Sequence, residues 1–255
     1  MVSDIKKYFN ILALFSLLCF SFFYLETINL FIINKSDLMI ELEKEKDYAD
    51  TEAIDAVVMN DYVIPGVKGS KLDILKSYFE TRKNKVVDDY FLIYDFIEPN
   101  ISIKDFKNLY IQNGNPSVRQ IALIINNNKT ILNYALENSI KINKLSTYQE
   151  VKLDKNIEYI NNDVEYFAEN SYNIDNRICV ISKKNEELCK KYGYFLIKPN
   201  ILLTNNNFLK IKANLNSGQI ILIDDEFSLN KFILLYREIL YRDYNIVYLS
   251  HIISE

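Results

Sequence analysis

The sequence predicts an α/β protein with a mainly parallel sheet, preceded by one membrane-spanning helix and a small turn-rich leader. Three observations carry this. The stretch "YFNILALFSLLCFSFFYL", residues 8 to 25, runs eighteen residues without a charge. From about residue 118, short continuous apolar runs alternate with amphipathic stretches of helical period. Three of the four prolines and three of the five glycines fall between residues 65 and 116, which marks that segment as turn-rich.

After Glu26 and Thr27 the first apolar run resumes as "INLFII" and stops before Asn34 and Lys35. At 1.5 Å per residue such a helix crosses the ~30 Å hydrocarbon layer. Lys6 and Lys7 precede it, while Asp37, Glu41, Glu43, Glu45 and Asp47 follow, so the positive-inside bias places the N-terminus in the cytoplasm and the remainder outside. No A-x-A-like pattern lies at residues 22–27, which argues for an uncleaved anchor rather than a signal peptide. The lack of polar spacing from Ile11 to Phe23 argues against a soluble amphipathic helix. The expected organisation is a cytoplasmic tail (1–7), a transmembrane anchor (8–33), a juxtamembrane stalk (34–52), a small extracytoplasmic segment (53–117) and a main domain (118–255). In the small segment a strand ends near Val58, Pro65 and Gly66 make a turn, and a helix is expected from about Ser70 to Lys83. "AVVMN" and "YFLIYDF" are candidate additional strands for the main sheet.

In the main domain "VRQIALIIN" is a buried strand, "KTILNYALENSIKI" a helix, "RICVIS" a strand and "NEELCKKYG" a helix ended by Gly193. Then come the strand "YFLIKPN", the helix "NNFLKIKANLNSG" ended by Gly218, the strand "QIILIDD" and the long helix "LNKFILLYREILYRDY". Apolar strands alternating with helices imply a parallel sheet covered on both faces. Ligands of such sheets bind beyond the carboxyl ends of the strands, where "INNN" (125–128) and "IDDE" (223–226) fall.

A net charge of −4 with interleaved signs leaves no electrostatic footprint for nucleic acid. The single histidine, His251, reads as a surface residue beside the last helix, so histidine chemistry is nearly excluded. Abundant Asn, Ile, Lys and Tyr without any Trp fit an AT-rich genome, which lowers the weight of the Asn runs. Cys19 lies in the anchor. Cys179 and Cys189, ten apart, are either a disulfide of an oxidising compartment or two buried thiols.

The order of segments over 118–255 resembles the polysaccharide deacetylases, the NodB-like enzymes of bacterial cell envelopes. "IPGVKGSKLDILKSYFE", "IEPNISIKD" and "YIQNGN" are similar to the leader of membrane-anchored members. A Thr-Phe-Asp-Asp-Gly signature corresponds to Ile124, Ile125, Asn126, Asn127 and Asn128. A His-Ser/Thr-x-x-His signature matches "NSYNI", with Asn170 and Ile174 in the histidine places. The late Leu-Leu-His-Asp strand end matches "GQIILIDD", with Asp224 in the place of the histidine and Asp225 in that of the aspartate. The resemblance implies an irregular or incomplete (β/α) barrel.

It also implies a chemistry. Amide hydrolysis of an N-acetyl sugar uses a divalent metal to lower the pKa of bound water, a carboxylate base and an acid for the leaving amine. The family draws the metal from one Asp and two His, the base from another Asp and the acid from the late His, and all five are replaced here. Asparagines keep shape and hydrogen bonding but carry no charge. The expectation is a membrane-anchored pseudoenzyme of the cell envelope that binds glycan or an envelope protein, with Asp224 and Asp225 serving as strand-end solvation and as a cap on the helix near Ser228. No cofactor is expected. The alternatives are an active deacetylase holding zinc or another divalent metal on altered ligands, and a structural envelope protein without a ligand. Tyr166 and Tyr172 are candidates for sugar stacking or for ordinary packing.

Overall fold

The computed structural model describes residues 2–146, 155–161 and 178–255. Along the chain the elements are α1 (Val2–Asn34), α2 (Asp37–Ala49), β1 (Val57–Met59), β2 (Tyr62–Ile64), β3 (Gly69–Leu72), α3 (Ile74–Asn84), β4 (Tyr94–Ile97), β5 (Tyr110–Ile111), β6 (Gln120–Ile125) and α4 (Lys129–Glu137). They continue with β7 (Ile142–Ser146), β8 (Ile157–Asn161), β9 (Ile178–Val180), α5 (Glu186–Lys191), β10 (Phe195–Ile197), β11 (Ile201–Leu203), α6 (Phe208–Ala213), β12 (Ile220–Ile223), α7 (Leu229–Tyr241), β13 (Asn245–Val247) and α8 (Leu249–Ile252). They form two compact units, one of residues 1–52 and 69–97, the other of residues 53–68 and 98–255.

In the first unit α1 carries an apolar run, Ile11–Asn34, long enough to cross a membrane. Ser36 then caps α2, its hydroxyl accepting from the Met39 amide. The stretch expected as a stalk, whose charge-rich sequence has helical period, is a helix, and it buries Met39 and Leu42 against Tyr78 of α3, with Ile33, Leu38, Ile74, Val87 and Leu92 around them. The helix expected from Ser70 starts later. Residues 69–72 pair with β4, and Asp73, whose Oδ1 accepts from the Lys76 amide at 2.9 Å, sets the start. The ladder partner and the stronger cap outweigh helix propensity at Ser70.

The second unit holds two sheets. One has the order β1-β2-β5-β10-β9, antiparallel between β1 and β2 and parallel elsewhere. The other runs β11-β12-β6-β7-β8, all parallel, with β13 beside the first half of β6. Of the two candidate strands outside 118–255, "AVVMN" supplies β1 here, whereas "YFLIYDF" supplies β4 of the first unit. Residues 53–68 and 98–117 therefore share a unit with 118–255. Among the described residues no ladder joins the two sheets into a closed barrel.

Strand β6 is buried on both faces, as its unbroken apolar sequence requires. Ile121, Leu123 and Ile125 pack with Ile131 of α4 and with Phe232, Leu235 and Ile239 of α7. Ala122 and Ile124 face an inner core shared with Val63, Ile111, Phe195 and Ile197 of the other sheet. Gly218, at φ +79°, starts the turn into β12; a Cβ there would come within 2.6 Å of the Gly114 carbonyl. Two expected helices end early, at Glu137 and Ala213. Past Glu137 the chain turns through Ser139, at φ 55°, and "KINKLS" becomes β7. Glu255 is buried, and its carboxylate accepts from the amides of Gly66 (2.7 Å) and Ile103 (3.0 Å) and from the Ser102 hydroxyl.

Candidate functional site

Strands β6 and β12 lie side by side in parallel register, Ile125 opposite Ile223. Asn126 and Asp224 therefore leave the sheet at the same level, and Leu203 of β11, opposite Ile223, brings a third turn to that rim. Apolar residues of the strands anchor this level, so the polar residues that follow them must converge.

What converges is a set of hydrogen bonds. Asp225 accepts from the Asn127 amide through Oδ1 (2.8 Å) and from the Asn126 side-chain amide through Oδ2 (3.2 Å). Asp224 turns back on its own loop, its Oδ1 accepting from the Glu226 amide at 2.9 Å. Asn128 caps α4 by accepting from the Ile131 amide (3.1 Å) and donates to the Phe227 carbonyl (3.0 Å). From the third turn Asn205 donates to the Glu226 carbonyl (2.9 Å) and accepts from the Ser228 amide (3.2 Å). Ser228 itself makes no capping bond to α7. Neither aspartate caps α7, contrary to expectation, because the loop 126–127 and the local turn take up their oxygens.

Beside these loops lies a cavity of about 230 Å³ lined by Asn126, Asn127, Asn128, Lys129, Leu132, Asn133 and Lys144. Among the described residues its wall is amide and ammonium with one apolar side chain, and carries no carboxylate. Lys144 was not legible as a wall residue because its strand, Ile142–Ser146, begins where the expected helix "KTILNYALENSIKI" ends and has no unbroken apolar run of its own.

A divalent ion needs anionic or imidazole donors with free lone pairs. Here both Asp225 oxygens meet N–H donors and Asn126 presents its NH2. Among the described residues no three His, Cys, Asp or Glu side chains gather into a metal-binding group. The described residues do not fit such an ion. Asn170, Ile174, Tyr166 and Tyr172 lie outside the described residues. His251 is exposed on α8.

Cys179 of β9 and Cys189 of α5 are joined by a disulfide, their Cα atoms 6.2 Å apart, which ties helix to strand inside a cluster with Tyr194 and Leu196. At the head of α5 the Lys190 ammonium, 2.7 Å from Glu186, and the Tyr110 hydroxyl hold the Glu186 carboxyl below its usual range. The same contacts push Lys190 up.

No family model and no curated protein matches the sequence. Solved structures do. BA3943, a CE4-family pseudoenzyme from Bacillus anthracis, superposes with a TM-score of 0.60 at 15% identity, over 87% of this chain and 96% of its own. A mutant of it with restored enzymatic activity gives a TM-score of 0.61 at 14% identity, over 86% and 99%. The fold is that of a CE4 carbohydrate esterase. This is the deacetylase-like architecture that the strand-end motifs indicate, and in this chain those motifs are degenerate.

Proposed function

We propose that this chain is a membrane-anchored, extracytoplasmic, deacetylase-like protein of the bacterial cell envelope that lacks turnover and uses its sheet rim to bind glycan or a partner protein. The observation that carries the reading is the bonding of Asp225 to Asn126 and Asn127, the positions where the family keeps an ionised base and a metal ligand. Hydrolysis needs those groups charged and aimed at water. An amide wall offers instead both donors and acceptors, which suits sugar hydroxyls and backbone alike. The likeness to a CE4 pseudoenzyme supports a fold that persists without catalysis.

The test uses the full chain in detergent with insoluble peptidoglycan, set against a charge-matched control protein. Retention on peptidoglycan with no release of acetate supports the proposal. Acetate release with stoichiometric zinc, abolished by Asp224→Ala or Asp225→Ala, would establish an active deacetylase. Neither retention nor release would leave a structural envelope protein.

A further inference from the structure

Within the first unit, the end of the apolar helix and one exposed loop are held together. Ile33, one residue before the end of α1, packs in the same cluster as Val87 and Leu92. The path of the chain explains this. Asp50, just past α2, accepts from the Leu72 amide at 2.8 Å, so α3 starts beside the far end of α2. It then runs back along α2, burying Tyr78 on Met39 and Leu42. Helices of 13 and 11 residues are ~20 and ~16 Å long, so α3 ends level with the start of α2, three residues after α1 stops.

The loop that follows α3 therefore lies at the level where α1 leaves the bilayer. Its side chains suit that place. Val86 is 58% exposed and Tyr90 is 87% exposed, although Val87 and Leu92 around them pack inward. Arg82, Lys83 and Lys85 precede them on the surface. Of the two acids in the loop, Asp88 accepts from the Tyr90 amide at 2.9 Å, which closes the 3-10 turn that presents the ring. A tyrosine with an apolar neighbour and flanking cations is the composition that settles among lipid headgroups. At α1 itself Lys35 folds over the Phe31 ring, 4.4 Å from its centre, as a cation does at such a boundary. By contrast Phe96, 70% exposed, pairs with Ser70 next to Ala49 and so marks the opposite end of the unit.

We infer that the 85–91 loop is a lipid-contacting surface, with Val86 and Tyr90 seated in the headgroup layer beside α1; the inference rests on the membrane-anchored reading above. The occupant is the bilayer surface itself. Because the charges of the loop nearly balance, contact depends on the apolar groups and holds on zwitterionic lipid.

The absence of tryptophan makes a direct test available. Phe20→Trp, Tyr90→Trp and Phe96→Trp are made singly in the full chain, reconstituted in vesicles of phosphatidylcholine brominated on its acyl chains. All three positions are exposed, so the fold tolerates the ring. The expected result is strong quenching at position 20, clear quenching with a blue-shifted emission at position 90, and none at position 96. Quenching at 20 with positions 90 and 96 alike would overturn the surface assignment and leave the anchor standing. No quenching at 20 would overturn the anchor, and the surface with it.

Discussion

The turns that follow β9 and β11 are each closed by an asparagine bonded to their own backbone, the second also reaching the β12 loop through Asn205, whereas those that follow β6 and β12 are joined to each other by Asp225. After β9, Asn185 accepts from the Ser182 amide (2.7 Å) and donates to the Val180 carbonyl (3.2 Å). After β11, Asn207 repeats the device on the Thr204 amide and the Leu202 carbonyl, both at 2.8 Å. The same side chain thus meets the same two backbone groups, three and five residues back. Between β6 and β12 the bonds from Asp225 span 98 and 99 residues. A self-closed turn needs only its own sequence. A cross-bonded pair joins two strand ends that are far apart in sequence, so Asp225 works as a brace between the β6 and β12 loops.

Restoring the missing donors should break that contrast most sharply. Asn126→Asp, Asn127→Asp, Asn170→His, Ile174→His and Asp224→His together are expected to give stoichiometric zinc on metal analysis of the purified chain. Asn205→Asp with Asn207→Asp, the matched change in a neighbouring turn, is expected to give none. Equal metal in both, or zinc in the unaltered chain, would sink the idea of a brace.

Stability comes next in size. Asn185→Ala should cost about 1–2 kcal/mol in urea unfolding, because it strands a part-buried amide and a buried carbonyl, and Asn207→Ala about 1 kcal/mol, because the Thr204 amide is part-buried while the Leu202 carbonyl reaches water. Asp225→Ala should cost less, about 0.5–1 kcal/mol, since its bonds are exposed and water replaces them. Its mark would be faster amide exchange at Asn127. A larger loss at 225 than at 207 would reverse the ranking.

The smallest effect is a pH dependence to which the β9 side contributes through one carboxyl. Glu186 is held down first by Lys190 and then by Tyr110. A carboxyl depressed in the folded state contributes stability above its unfolded pKa, about 4.3, and loses it as pH falls through the lower folded value. Melting temperature should therefore drop across that acid window, and Glu186→Gln should flatten the drop. An unchanged profile in that variant would assign the acid sensitivity elsewhere.

Much of the fold is legible because burial on both faces writes itself as unbroken apolar runs. "QIALII" and "QIILI" could be little else than central strands, and their parallel pairing follows from the helices between them. Strands without an unbroken apolar run were hidden. The strand β13 follows directly on the last long helix, and β7 follows Ser139 with no proline or glycine to announce the break. The site was legible in position, since the Asn and Asp runs do stand at adjacent strand ends. Its bonding was not, because local sequence holds no record of a partner a hundred residues away. Discounting Asn as genome bias also hid its use at 128, 185, 205 and 207, where one amide serves as donor and acceptor at once.

Glu255 has a consequence for the order of assembly. Its carboxylate is claimed by the amide of Gly66, 189 residues upstream, and by Ser102 and Ile103. During synthesis those groups wait, hydrated, until residue 255 has emerged, and closing so long a loop is slow. These bonds therefore cannot form before the strands that lie between residues 103 and 255 have been made, so the carboxylate fastens segments whose sequence is complete long before their partner exists.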